Sequence, residues 1–187
     1  DPAKFVRGVY RSGINADLHI PIVGAAPAVI RMPKKNKRGE WVNWSNTDLP
    51  WMSIGYVTQI PPIYTLTFYN AIANGGKMMQ PRFVKAAIKD GKIIEDFPPV
   101  VVKGHEQIAS PEVIKEMQEM LRKVVSEGLG KKAGSDAFQV AGKTGTAQIS
   151  KGAAGYKNGM TNYLLSFAGY FPADNPMYSC IVCIQKS

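Results

Sequence analysis

A chain of 187 residues with 45% hydrophobic and 10% aromatic content can bury a real core, which excludes an intrinsically disordered segment. No apolar run approaches the roughly 18 residues of a membrane-crossing helix, and Asp1-Pro2-Ala3-Lys4 lacks the basic-then-apolar layout of a secretion signal. Lysine and arginine outnumber aspartate and glutamate by 23 to 14, a formal charge of +9 that favours anionic partners without choosing among nucleic acid, acidic lipid and carboxylate-bearing substrate.

Beyond the first dozen residues no strong helix is expected before residue 50. Pro21, Gly24, Pro27, Pro33 and Gly39 punctuate short apolar stretches there. The densest basic run, Lys34-Lys35-Asn36-Lys37-Arg38, has no aromatic within it and reads as a solvated surface loop rather than a base-stacking platform. From Pro61 the periodicity sharpens. Pro61-Pro62 suits a first helical turn, Ile63, Leu66, Tyr69 and Ala73 fall near helical spacing, and Asn74-Gly75-Gly76 supplies a left-handed stop. A second helix is capped by Ser110, with Pro111 in its first turn, and is ended by Gly128. Val113, Met117, Met120, Leu121, Val124 and Val125 trace one apolar face, expected to be core. Residues 51–130 therefore read as helical, after a loop-rich lead-in over 1–50.

Residues 131–187 read as strands. Gln139–Gln148 is β-compatible, and Leu164–Phe171 and Met177–Ile184 are apolar runs joined by Pro172-Ala173-Asp174-Asn175-Pro176, the chemistry of an antiparallel hairpin connector. Helices first and a meander afterwards indicate an α+β fold with segregated elements, an antiparallel sheet packed with helices. Cys180 and Cys183 sit three apart on the last run, so their side chains take opposite faces. With neither His19 nor His105 close in sequence, they are expected to be buried structural cysteines, not zinc ligands.

The stretch that carries chemistry is Ala141-Gly142-Lys143-Thr144-Gly145-Thr146-Ala147-Gln148. It offers an ammonium, two hydroxyls and a glycine that admits a ligand close to the backbone. On an exposed edge strand such a set can pair with an extended peptide, hold its carboxylate and polarise its carbonyl. Ala137-x-x-x-x-Gly142-Lys143-Thr144 also fits a relaxed phosphate-loop pattern, but the interior Phe138-Gln139-Val140-Ala141 is strand-like, and Gly145 sits where a helix should begin.

Four blocks in order resemble the transpeptidase domain of class B penicillin-binding proteins, with wording closest to the cell-division type. They are Ser53–Gln59; Tyr69–Gly76 followed by Pro81; Val140–Gln148, which includes Lys143-Thr144-Gly145-Thr146; and Phe167–Pro176. The resemblance covers roughly residues 50–184 and implies a partial penicillin-binding/serine β-lactamase-like fold. It implies a serine acyl-transferase that cross-links peptidoglycan stem peptides ending in D-Ala-D-Ala and is acylated by β-lactams. By that resemblance Lys143 and Thr146 are catalytic, Lys143 supplying positive potential and the Thr146 backbone N–H half of an oxyanion hole. Thr144, Gly145 and Thr146 then bind substrate. No cofactor, metal or nucleic acid is implied. Cell-division partners, an inner-membrane anchor outside this chain and a periplasmic location are.

The chain departs from that pattern in two respects. No serine is followed three residues later by lysine, and no Ser-x-Asn occurs; Tyr156-Lys157-Asn158 matches a variant but follows the Lys143 strand instead of preceding it. The expectation is a C-terminal portion of one transpeptidase domain, unable to acylate alone. A non-catalytic peptide-binding module and, further off, a phosphate-loop NTPase stand as alternatives.

Overall fold

In the computed structural model, which describes residues 1–149 and 162–186, Asp1 accepts the backbone N–H of Ala3 at 2.9 Å and of Lys4 at 3.3 Å. With Pro2 in the first turn, this cap starts helix α1 (Pro2–Arg11). The described chain divides into two units, the first Asp1–Phe68 with Lys77–Ile108, the second Tyr69–Gly76 with Ala109–Ser187.

The first unit is built on α1. Val6 turns inward beside Ile30, Trp44 and Met52, with Phe5, Val9, Ile14, Leu49 and Ile60 packed around them. The Tyr10 hydroxyl donates to the Ile30 carbonyl at 2.6 Å, tying the loop to the helix. Met52 is the buried residue of the short helix α2 (Asp48–Ser53). Helix α3 (Pro62–Ala73) then opens on the proline expected of it; its residues through Phe68 belong to this unit. Where helix was expected throughout 51–130, the chain also forms a hairpin, β1 (Ala86–Lys89) against β2 (Lys92–Asp96). Asp90 and Gly91 turn it with φ of 49° and 74°, the two positive values a tight hairpin turn requires.

The second unit begins with the end of α3, where Gly75 and Gly76 take φ of 67° and 99° and close the helix as expected. Helix α4 (Pro111–Ser126) is capped by Ser110, whose hydroxyl accepts from Val113 N–H at 3.4 Å. Its inward residues are Ile114, Leu121 and Val125. This corrects the stripe drawn from sequence, because Val113 and Met120 are 47% and 53% exposed. The amide of Gln118, on the inward side, donates to the Ile72 carbonyl at 2.7 Å and so occupies part of that face.

Three strands follow: β3 (Ala141–Ile149), β4 (Asn162–Phe171) and β5 (Tyr178–Lys186), antiparallel in the order β3-β4-β5. The expected connector joins β4 to β5 and includes a cis Phe171–Pro172 bond. Phe138, Phe171 and Tyr178 stack along the β3–β5 end with centroids 5.2 and 5.5 Å apart. Register sets two faces. Gly142, Thr144 and Thr146 share one with Gly169, Phe167 and Leu165; Ala141, Lys143 and Gly145 share the other with Tyr170, Ala168 and Ser166. Ala141, Ala168 and Tyr170 are buried on the second face, and α4 packs against β3. The cysteines take opposite faces but are not both buried: Cys180 is half-buried and Cys183 exposed. β5 has a partner on one side only among the described residues, which leaves its outer half open.

Candidate active site

The strand β3 carries every site residue singled out from sequence, and the fold sets them side by side. β3 is an outer strand of its sheet among the described residues, bonded to β4 alone. Its other edge is the kind to which an extended peptide adds through main-chain hydrogen bonds. Alternation turns the N–H and C=O of Thr144 and Thr146 toward one side of the strand and those of Lys143 and Gly145 toward the other. The Lys143 and Thr146 side chains are exposed, Thr144 and Gly145 half-buried. The Lys143 ammonium reaches back to the Thr144 carbonyl at 2.8 Å, which holds a positive charge over the backbone of the motif.

Three small-residue positions let the strand lie this close to β4. A Cβ on Gly142 would stand 2.5 Å from the Phe167 ring and 2.7 Å from the Ala168 carbonyl. One on Gly169, directly opposite, would stand 2.5 Å from the Ala141 carbonyl. The Phe167 ring therefore lies over a glycine pair, and its β-carbon-free floor is the condition for that packing. Gly145 differs, for the atom a Cβ there would strike is the Ser166 hydroxyl, the end of a side chain that can turn. Ser166 and Phe167 were not singled out from sequence as neighbours of the motif. Their signal was available in the alternation of Leu164–Phe171 once the register with β3 is known.

Tyr170, at the buried foot of the sheet, has a hydroxyl without a hydrogen-bond partner, and burial pushes its phenol up to about 12. From the other element of this unit, the Asn70 amide donates to the Ser179 hydroxyl of β5 at 3.3 Å. No group of three or more His, Cys, Asp or Glu side chains that could hold a metal occurs among the described residues. A cavity of about 850 Å3, lined by Phe5, Val9, Leu49 and Pro50 among others, lies within the first unit and takes no wall from β3. Tyr156-Lys157-Asn158 falls outside the described residues.

The geometry dismisses the phosphate-loop alternative. Lys143 and Thr144 lie inside a nine-residue strand, where a phosphate loop needs a glycine-rich turn whose amides converge on the ligand and a helix beginning after the lysine. What β3 offers instead is a strand edge with an ammonium, two hydroxyls and backbone donors in one row, the layout of an enzyme or receptor that takes an extended, carboxylate-ended peptide.

Residues 29–187 match the family described as penicillin binding protein transpeptidase domain. The chain is 33% identical over 144 residues to penicillin-binding protein PbpB of Mycolicibacterium smegmatis, covering 72% of this chain and 21% of that protein. It is 32% identical over 136 residues to stage V sporulation protein D of Bacillus subtilis, again covering 72% of this chain and 20% of that protein. Penicillin-binding protein 3 from Mycobacterium tuberculosis, solved in complex with ampicillin, superposes with a TM-score of 0.77 at 28% identity, over 99% of this chain and 39% of that one. The chain belongs to the penicillin-binding protein transpeptidase family, as part of the transpeptidase domain of a class B protein. It spans about a fifth of the length of these curated relatives.

Proposed function

We propose that this chain forms the peptide-docking side of a D,D-transpeptidase, a serine acyl-transferase that cross-links peptidoglycan stem peptides and is acylated by β-lactams. The observation that carries the reading is Lys143-Thr144-Gly145-Thr146 on an open strand edge, within a chain that belongs to this family. The relative solved with ampicillin, and a second structure of it with aztreonam, support β-lactams as ligands. Relatives named peptidoglycan D,D-transpeptidase support the reaction.

In this mechanism a stem peptide lies along β3 as an added strand. Lys143 sets a positive potential beneath it, and the Thr144 and Thr146 hydroxyls hold its terminal carboxylate. The Thr146 backbone N–H points to the carbonyl under attack and stabilises the developing oxyanion, a donor of the kind whose removal costs roughly 3 kcal/mol of barrier. Gly145 keeps side-chain bulk off the docking line. The attacking serine does not come from these 187 residues by the expected signature, since none has lysine three positions on. It belongs to a segment outside them, and the protein works at the extracytoplasmic face of a bacterial inner membrane, in cell division.

Intact mass after incubation with ampicillin tests this on two forms, the present chain and the same protein extended upstream. One covalent adduct on the extended form alone is expected, and Lys143→Ala in that form should slow its appearance by at least a hundredfold. An unmodified extended form would sink the reading and leave a non-catalytic peptide-binding module in its place.

A further inference from the structure

The basic run of residues 34–38 is not a slack loop. The backbone N–H of Asn36 donates to the Glu40 carbonyl at 2.9 Å, and that of Val42 to the Lys34 carbonyl at 3.1 Å, which folds the segment into a small hairpin. The Asn36 side-chain oxygen accepts from the N–H groups of Arg38 and Glu40 at 2.9 and 3.0 Å, and Gly39 closes the turn at φ 82°. The base is anchored as well. Asn43 accepts from Lys34 N–H at 2.7 Å and donates to the Met32 carbonyl at 2.9 Å, and the next residue, Trp44, is in the core of the first unit. Lys34, Lys35, Lys37 and Arg38 thus stand on a defined turn against one acid, Glu40, whose carboxylate accepts from the Asn36 amide at 2.8 Å.

Two apolar side chains accompany these cations. Trp41 pairs across the hairpin with Lys35, whose ammonium lies 4.5 Å from the centre of its ring, and Val42 is 61% exposed beside it. We propose that the Lys34–Asn43 hairpin is a docking site for an anionic lipid surface. Four cations meet the headgroup charge, each adding roughly fivefold in partition near such a surface. Trp41 and Val42 supply the amphipathic ring and the apolar contact that favour the headgroup boundary. A nucleic acid fits less well, because base stacking needs a free aromatic face and the Lys35 ammonium lies over one face of Trp41. The overall charge of +9 strengthens long-range attraction but does not place it, and the hairpin does.

Co-sedimentation of the chain with large vesicles reads this directly. Vesicles of equal parts phosphatidylglycerol and phosphatidylcholine should carry the chain down at low salt and release it as salt rises. Pure phosphatidylcholine should not. The triple variant Lys35→Gln, Lys37→Gln, Arg38→Gln should lose roughly a hundredfold in partition. The matched triple Lys85→Gln, Lys89→Gln, Lys92→Gln removes equal charge from the exposed β1–β2 hairpin and should lose at most a few-fold. Vesicles should also shift tryptophan emission to the blue, and Trp41→Phe should abolish most of that shift while Trp44 and Trp51 remain. Equal losses from the two triples would reduce the effect to net charge and overturn the proposal. So would equal binding to neutral vesicles, or tighter binding to a DNA duplex that only the first triple weakens. Unchanged far-ultraviolet circular dichroism in every variant shows that folding is not the cause.

Discussion

Three glycines line the candidate site, and two of them meet backbone of the paired strand while the third meets only a side-chain hydroxyl. Replacing Gly169 by alanine puts a methyl 2.5 Å from the Ala141 carbonyl and 2.9 and 3.0 Å from ring carbons of Phe167. The first of these is backbone of the paired strand, so β3 and β4 must part. Gly142→Ala meets the Phe167 ring at 2.5 Å, the Ala168 carbonyl at 2.7 Å and the Gly169 Cα at 2.9 Å, again mostly backbone. Overpacking of this kind costs about 2–3 kcal/mol at each position. Gly145→Ala strikes only the Ser166 hydroxyl, with the Ser166 Cβ next at 3.8 Å. A turn of that hydroxyl about χ1 clears the methyl, and alanine regains about 0.5–1 kcal/mol relative to glycine in a strand. Gly145→Ala should then stay within about 0.5 kcal/mol of the parent while the other two fall well below it. Urea unfolding followed by circular dichroism measures all three. Equal damage from Gly145→Ala and Gly169→Ala would refute the reasoning, because it would mean Ser166 cannot move. The stable variant is the useful one: in the extended form, any acylation it loses is a docking defect.

Tyr170→Phe removes a buried hydroxyl that has no partner and should raise stability by about 1–2 kcal/mol at neutral pH. Because burial pushes the folded phenol up to about 12 while the unfolded one titrates near 10, stability present below pH 10 is lost as pH rises through that window. Phenylalanine has no such proton, so the lead of the variant should widen by about 1 kcal/mol between pH 9 and pH 11 in paired urea titrations; a constant gap would contradict the burial. Ser110→Ala should cost about 0.5–1 kcal/mol through loss of the α4 cap, and Ser110→Asp should restore it in thermal melts. Leu121→Ala should cost about 2–5 kcal/mol, and Met120→Ala, on the exposed side one residue earlier, less than about 1; equal effects in urea unfolding would return α4 to the face drawn from sequence.

Much of this architecture was legible because local chemistry and fold agree. Pro62 and Gly75 bracket α3, Ser110 and Pro111 start α4, and the proline-flanked connector of β4 and β5 reads as a hairpin without tertiary information. The misses have different causes, some local and some tertiary. Asp90-Gly91 is a strong local turn signal, masked by the helical patterns on either side of it. The α4 face drifted because Val113 and Ile114 are equally apolar, and only the packing of this unit decides which turns inward. Cys183 is exposed on the sheet face it shares with Ser166, and what covers a face is a property of packing and not of composition. The basic run reads as a solvated loop because Asn36, which organises it, is an ordinary loop residue until the Arg38 and Glu40 N–H groups that its side chain accepts from are placed.

The motif residues stand as a list in the sequence, and only the strand register gives them an arrangement. Lys143, Thr144, Gly145 and Thr146 are consecutive, so on a strand they cannot all face one ligand through their side chains. The register resolves this by dividing the work. Lys143 and Gly145 lie on the Ser166 face and Thr144 and Thr146 on the Phe167 face, while the backbone between them runs along the open edge. A peptide added at that edge meets main-chain groups first, with a cation on one side and hydroxyls on the other. None of the residues opposite them on β4, Leu165 to Ala168, carries an acid or a base. The strand can therefore orient and polarise a carbonyl, and its one ionisable side chain, the Lys143 ammonium, is a proton donor and not a base. That makes the ammonium the residue whose replacement should separate binding from chemistry. In the extended form, Lys143→Arg keeps the positive potential but cannot give up its proton, so it should still bind ampicillin reversibly while acylating slowly. If it acylates at the parent rate, Lys143 acts through charge alone and the proton moves elsewhere.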